Sequence, residues 1–229
     1  MSTLNKIPFL KGLDASEAET YERSCVVKRF EQRELVLDFD DASTDVYFII
    51  VGRLRVLVRT PAGREMILDD LDGGDFFGEM AAIDGLLRSA NVTALTAAEL
   101  VIMPGSLFKS IILCNAKICE RLLTLLTVRV RALNERLFER SVLDLRHRLY
   151  AELLRLARPR HENLDQSVIS PPPVGQDLAA LIGCRREQIS RELQVLVEEG
   201  LIEKRRGGLV LLQPKQLEQR IAEGFGKAG

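Results

Sequence analysis

The chain has 229 residues, 46% of them hydrophobic and 28% charged, proportions that suit a folded globular protein and exclude a disordered or low-complexity one. Its net charge of −1 excludes a globally basic nucleic-acid binder, but the balance is uneven: from Asp144 onward 14 Lys and Arg face 12 Asp and Glu, leaving +2 there and −3 over residues 1–143, a sign that suits a C-terminal contact with DNA. No N-terminal secretion pattern and no apolar run of membrane-spanning length is present, and Cys25, Cys114, Cys119 and Cys184 form no C-x-x-C, so a cytoplasmic protein with no membrane partner, zinc site or disulfide framework is expected.

Residues 3–24 mix apolar and charged positions and predict one or two short helices. From Ser24 to about Met103, short β-branched and aromatic runs follow one another: Ser24–Phe30, Glu34–Leu37, Val46–Val51, Arg53–Arg59, Glu65–Leu71, Ala90–Ala94 and Ala98–Pro104. Turn residues part them at Asp40-Asp41, Gly52, Pro61-Ala62-Gly63 and Asp72-Gly73-Gly74. Many short strands at this spacing predict an all-β barrel or jelly roll, with Pro61-Ala62-Gly63 turning a hairpin.

Residues 106–140 read as helix. Cys119, Leu123, Leu126, Val130, Leu133 and Leu137 recur at steps of 4, 3, 4, 3 and 4, an a/d seam that predicts a coiled-coil dimer interface. Leu122 and Leu125 lie off that seam and are expected to pack on their own domain. Asp144 caps a new helix, which places a hinge at Ser141–Asp144. Residues 159–173 are polar, end in Pro171-Pro172-Pro173 and predict a loop. From Gly175 the pattern is helix, tight turn at Gly183, helix, stop at Gly200. Ile202–Arg206 and Leu209–Leu212 then flank Gly207-Gly208 as a small hairpin, completing a winged helix-turn-helix.

The densest chemistry lies between Gly73 and Thr93. Gly78 lets the backbone approach a ligand. Glu79 is an acceptor suited to a ribose hydroxyl. Arg88 offers the planar donor fork that matches a phosphate, with the Ser89 hydroxyl beside it. Gly78, Glu79, Arg88, Ser89 and Ala90, set between strand-like runs, resemble the phosphate-binding cassette of cyclic-nucleotide-binding domains. With the winged helix-turn-helix, the resemblance covers nearly the whole chain and is to the CRP/FNR superfamily, nearest its catabolite-activator branch.

The resemblance implies an α+β fold: a cyclic-nucleotide-binding β-roll over residues 1–112, a dimerisation helix and hinge over 113–143, and a winged helix-turn-helix over 144–229. It implies no catalysis and no metal, but a cyclic nucleotide effector, with cAMP favoured and cGMP the alternative. The apolar pocket floor falls on Val56, Leu68 and Met80. The purine-reading positions of the long helix fall on Leu133 and Asn134, a departure from the branch's Thr-Ser pair: Asn134 can donate and accept, whereas the Leu133 side chain can do neither.

At the other end, Arg186, Glu187, Ser190 and Arg191 share one face near the start of the second helix of the helix-turn-helix, the end that reads bases. Arg pairs with guanine and Glu accepts from cytosine. By resemblance Arg186, Glu187 and Arg191 read a palindrome of TGTGA-like half-sites, or the related TTGAT, since Ser190 matches the FNR branch. Arg185, Lys204, Arg205 and Arg206 are expected on phosphates. RNA polymerase is the further partner implied. The rival within the family is a redox- or gas-responsive or ligand-independent regulator, against which the retained Glu79 and Arg88 weigh. Cys25 stands alone at the N-terminus, a poor fit to an iron–sulfur centre of four thiolates. A cupin-like metalloenzyme needs histidines inside the barrel, and His147 and His161 are the only two, both outside the strand region.

Overall fold

A computed structural model describes residues 3–60, 63, 65–160 and 163–226. Pro61, Ala62 and His161 lie outside the described residues, and with them the expected Pro61-Ala62-Gly63 turn. The chain divides into two compact units, Met1–Arg129 and Val130–Gly229, both with helices and antiparallel sheet.

The first unit is the β-roll. After two short 3-10 turns and α1 (Ala15–Glu22), its strands are β1 (Val26–Phe30), β2 (Leu35–Leu37), β3 (Val46–Val51), β4 (Leu54–Arg59), β5 (Glu65–Leu71), β6 (Phe76–Phe77), β7 (Asn91–Ala94) and β8 (Ala98–Met103). They form two four-stranded sheets, β1-β8-β3-β6 and β2-β7-β4-β5. Each expected strand forms, with ends shifted by at most two residues.

Two elements here were not expected. β6 is a two-residue strand joined to Tyr47 and Phe48, too short to show a period. α2 (Glu79–Asp84) is a short helix between glycines at positive φ, Gly78 at 86° and Gly85 at 74°. The core between the sheet and the helices holds Phe9, Phe48, Phe76 and Phe108 with Ile111, Ile118 and Leu122. The helical stretch is broken once: α3 (Gly105–Cys114) stops at Asn115, whose side chain accepts from the Ile118 N–H at 3.1 Å, and α4 runs from Ala116 to Val142.

The second unit holds the last part of α4, then α5 (Leu145–Leu156), β9 (Arg158–Arg160), β10 (Asn163–Ile169), α6 (Gly175–Ile182), α7 (Arg186–Glu198), β11 (Ile202–Arg205), β12 (Gly208–Leu211) and α8 (Pro214–Gly226). Asp144 caps α5 as expected, its carboxylate accepting the His147 N–H at 3.0 Å. Gly183 at φ 80° turns the chain between α6 and α7. Residues 158–169 correct the expected loop. They carry two strands that extend the hairpin β11–β12 into a sheet of order β11-β12-β10-β9. The polar side chains of β10 hid it: among its described side chains only Ile169 is fully buried, in one core with residues of α5, α6 and α7. The closing α8 was also unexpected; Leu217 buries its apolar stripe in the same core.

Candidate nucleotide pocket and nucleic-acid interface

The cassette is built where β6, α2 and the start of β7 meet the loop before β3. Gly78 takes a left-handed backbone, and a Cβ on it would stand 2.7 Å from the Asp45 carbonyl oxygen and 2.9 Å from Arg88 Nη1. Only glycine permits this turn, and with it the burial of Arg88 beneath it.

Arg88 is 2% exposed. Its guanidinium donates to four acceptor contacts: Nη1 to the Gly78 carbonyl at 2.9 Å, Nη2 to the Asp45 carbonyl at 2.7 Å, and Nε and Nη2 to Ser43 Oγ at 3.2 and 3.1 Å. The ring of Tyr47 lies 5.8 Å from its centre, and Tyr47 itself stacks on Phe77 at 4.9 Å. The backbone is tied as well: the Arg88 N–H donates to the Asp41 carbonyl, and the Asp40 N–H donates to the Arg88 carbonyl.

Every hydrogen-bond acceptor of the Arg88 side chain is thus a neutral oxygen. Among the described residues it has no ion pair within 4.0 Å. Burial accordingly pushes the guanidinium pKa down, against the pull of Tyr47, Asp41, Asp45 and Glu79. A cation so placed is held by neutral acceptors, with the nearby carboxylates acting on it only from beyond ion-pair distance.

Glu79 is also buried, at 4% exposure, but it does not pair with Arg88. Its Oε1 accepts from Arg129 Nη1 at 2.6 Å, while Arg129 Nη2 reaches the Phe76 carbonyl at 3.3 Å. Arg129 was missed in the sequence. The signal was there: Ile118, Leu122, Leu125 and Arg129 recur at steps of 4, 3 and 4, so the stripe by which α4 faces its own roll ends on a cation.

The expected pocket floor is spread. Val56 is half-buried beside the second-sheet core. Leu68 is half-buried and is the extra residue of a bulge in β5, since Val56 pairs Asp69 while Leu57 pairs Ile67. Bulges of this kind re-aim a side chain. Met80 is 53% exposed, on the rim, with its sulfur 3.7 Å from the exposed Ser89 hydroxyl. Leu133 and Asn134 are exposed on α4.

The seam of α4 is apolar and open. Leu123, Val130, Leu133 and Leu137 are 55–66% exposed, Cys119 is half-buried, and Leu126 also packs on the roll core. Leu122 and Leu125 face the roll, as expected.

In the second unit, α7 buries Ile189 and Leu196 and turns Arg186, Glu187, Ser190 and Arg191 to solvent. Arg185 precedes the helix, its backbone N–H bonded to Gln188 Oε1 at 3.1 Å, with its side chain exposed. Lys204, Arg205 and Arg206 are exposed around the hairpin tip, where Arg205 pairs with Glu203 at 2.7 Å. Among the described residues Arg186, Arg191, Lys204 and Arg206 make no ion pair. A row of free guanidinium groups at a helix start, flanked by a basic hairpin, is suited to a polyanion.

A nucleotide-cassette roll and a winged helix-turn-helix on one chain define a ligand-responsive transcription regulator. Residues 27–114 match the family of cyclic nucleotide-binding domains, and residues 147–220 match the Crp-like helix-turn-helix domain. The chain is 28% identical over 185 residues to the cAMP-activated global transcriptional regulator CRP of Salmonella typhimurium, covering 80% of this chain and 88% of the relative. It is 27% identical over 206 residues to the cAMP-activated global transcriptional regulator Vfr of Pseudomonas aeruginosa, covering 88% and 94%. The fold matches a CooA mutant from Carboxydothermus hydrogenoformans with TM-score 0.75 at 16% identity, over 87% of this chain and 88% of that one. The chain belongs to the CRP/FNR family of transcription regulators, near CRP. Among the described residues no helix is long and apolar enough to cross a membrane, and no cluster of His, Cys, Asp or Glu is arranged to hold a metal ion.

Proposed function

We propose that the chain is a cytoplasmic, homodimeric transcription regulator switched by a cyclic nucleotide, with cAMP the preferred effector and cGMP the alternative. The observation that carries this reading is Arg88, buried among neutral oxygens with no carboxylate paired to it. A cyclic phosphodiester supplies the missing charge. Glu79 takes the ribose hydroxyl, Val56, Leu68 and Met80 line the apolar side, Ser89 adds a phosphate contact, and Asn134 with Leu133 reads the purine. The names of the relatives, both cAMP-activated, favour cAMP.

In this reading, residues 1–112 form the sensing domain, 113–143 the dimerisation helix and hinge, and 144–229 the DNA-binding domain. Two copies join along Cys119, Leu123, Leu126, Val130, Leu133 and Leu137. Arg186, Glu187, Ser190 and Arg191 read TGTGA-like half-sites in successive major grooves, about 34 Å apart. Arg185, Lys204, Arg205 and Arg206 hold phosphates, and the bound dimer touches RNA polymerase. Nucleotide acts by favouring the dimer arrangement whose recognition helices match those grooves.

The test is calorimetric titration of nucleotide-stripped protein with cAMP and cGMP, alongside Arg88→Lys. The lysine keeps the charge but loses the fork. Affinity is expected to fall by about 10- to 100-fold, the range of a charge-assisted hydrogen bond in a buried site. Equal affinity of the two proteins would remove Arg88 from the pocket.

A further inference from the structure

The four contacts of Arg88 fill its two forks unequally in kind. The Nη1/Nη2 end is held by backbone carbonyls of Gly78 and Asp45, which the fold fixes. The Nε/Nη2 side is held by one side chain, the Ser43 hydroxyl, at 3.2 and 3.1 Å. Counting the five N–H groups of a guanidinium, one on Nη1 remains. An anionic oxygen pair can therefore take a fork of Arg88 only where Ser43 now sits.

Ser43 is itself set up as a strong acceptor. Its N–H donates to Asp41 Oδ1 at 2.7 Å. That bond first, and the Ser43 hydroxyl second, hold the Asp41 carboxyl below its ordinary pKa. The hydroxyl thus lies between a carboxylate and a guanidinium, and its oxygen presents partial negative charge to Arg88. The loop is anchored before it, where Asp38 accepts from the buried Asn91 at 2.6 Å and Asp40 and Asp41 exchange backbone hydrogen bonds with Arg88, and after it, where the Asp45 carbonyl accepts from Arg88 Nη2 at 2.7 Å. The rotation of one side chain is enough to clear the fork.

We propose that the Ser43 hydroxyl is a built-in plug that occupies the seat of a phosphate oxygen on Arg88 and is displaced when the cyclic nucleotide binds. The inference rests on the nucleotide reading above. Ser43 lowers the affinity for ligand by stabilising the empty site, because the ligand must break its two hydrogen bonds before gaining its own. In the empty protein it also spares the buried guanidinium an unsatisfied edge.

The sign of one substitution tests this. The full-length protein, its Ser43→Ala variant and its Ser43→Thr variant are titrated calorimetrically with cAMP and with cGMP, with thermal melts as a check on folding. Ser43→Ala is expected to bind the preferred nucleotide about three- to tenfold more tightly, the worth of a net hydrogen bond. Ser43→Thr, which keeps the hydroxyl, is expected to bind like the wild type. Equal or weaker binding by Ser43→Ala, where the wild type binds, overturns the plug and makes Ser43 a bystander or a ligand contact. Binding by Ser43→Ala alone, with a silent wild type, supports the plug in a stronger form. Silence from both, with native melts, overturns the nucleotide reading and the plug with it.

Discussion

Two buried charges sit nine residues apart in the cassette, one at the start of α2 and one past its end, and have opposite accounts. Glu79 is answered by Arg129, and the pair closes on itself. Arg88 is answered by hydroxyl and carbonyl oxygens only. Burying a charge is costly unless it is paired, so the first residue contributes to holding α4 on the roll, and the second, in the function proposed above, is paired by the phosphate of the ligand. This asymmetry makes a prediction. Arg129→Ala leaves the Glu79 carboxylate buried without its cation and is expected to cost about 1–3 kcal/mol in urea unfolding of the roll. Glu79→Gln combined with Arg129→Ala is expected to cost less than the sum of the two single changes. Additive losses would show that the pair does not couple. Gly78, Glu79 and Arg88 were legible in the sequence because their spacing is local and their types are chemically distinct. Arg129 and Ser43 were not, since each meets its partner from 50 and 45 residues away, and nothing in either one's immediate neighbours marks the encounter.

At the scale of elements, the roll's strands were legible almost to the residue, because β-branched alternation and turn residues coincide. The misses share a cause: a signal too short or too polar to show a period. β6 has two residues and α2 six. β9 and β10 present mostly polar side chains and are held by backbone pairing instead, β10 to β12 and β9 to β10. Helix α4 shows the reverse, two apolar stripes with separate duties. One is satisfied by the roll; the other leaves Leu123, Val130, Leu133 and Leu137 in solvent. Large exposed apolar stripes mark contact surfaces. Val130→Asp is therefore expected to convert a dimer to a monomer in sedimentation equilibrium without lowering the melting temperature of the roll; Val130 is the better probe than Leu126, which also packs on its own core. A persisting dimer would place the interface elsewhere. On α7, the free guanidinium groups predict that Arg191→Ala weakens specific operator binding by about 1–3 kcal/mol while leaving non-specific binding nearly unchanged, read from fluorescence anisotropy on matched and scrambled duplexes. Equal losses on both duplexes would make Arg191 a phosphate contact.

For the molecule as a whole, neither domain explains the other. A roll that binds a nucleotide has no need of a helix-turn-helix, and a winged helix with free arginines binds DNA without a roll. Their presence on one chain has a physical consequence only if ligand affinity differs between the DNA-competent dimer and its alternative. Shifting such an equilibrium from about 1:99 to 99:1 requires about 5.5 kcal/mol of differential affinity, shared between the two subunits of a dimer. The near-neutral total charge fits this division: the basic excess belongs to the part that meets DNA and the acidic excess to the part that does not. The measurement that bears most directly on this account is operator binding by the full-length, nucleotide-stripped protein to a TGTGA palindrome, with and without saturating cAMP or cGMP. The account predicts weak binding alone and strong binding with one nucleotide, a gain that Arg88→Lys loses. Full DNA binding in the absence of any nucleotide, unchanged on adding either, would contradict it.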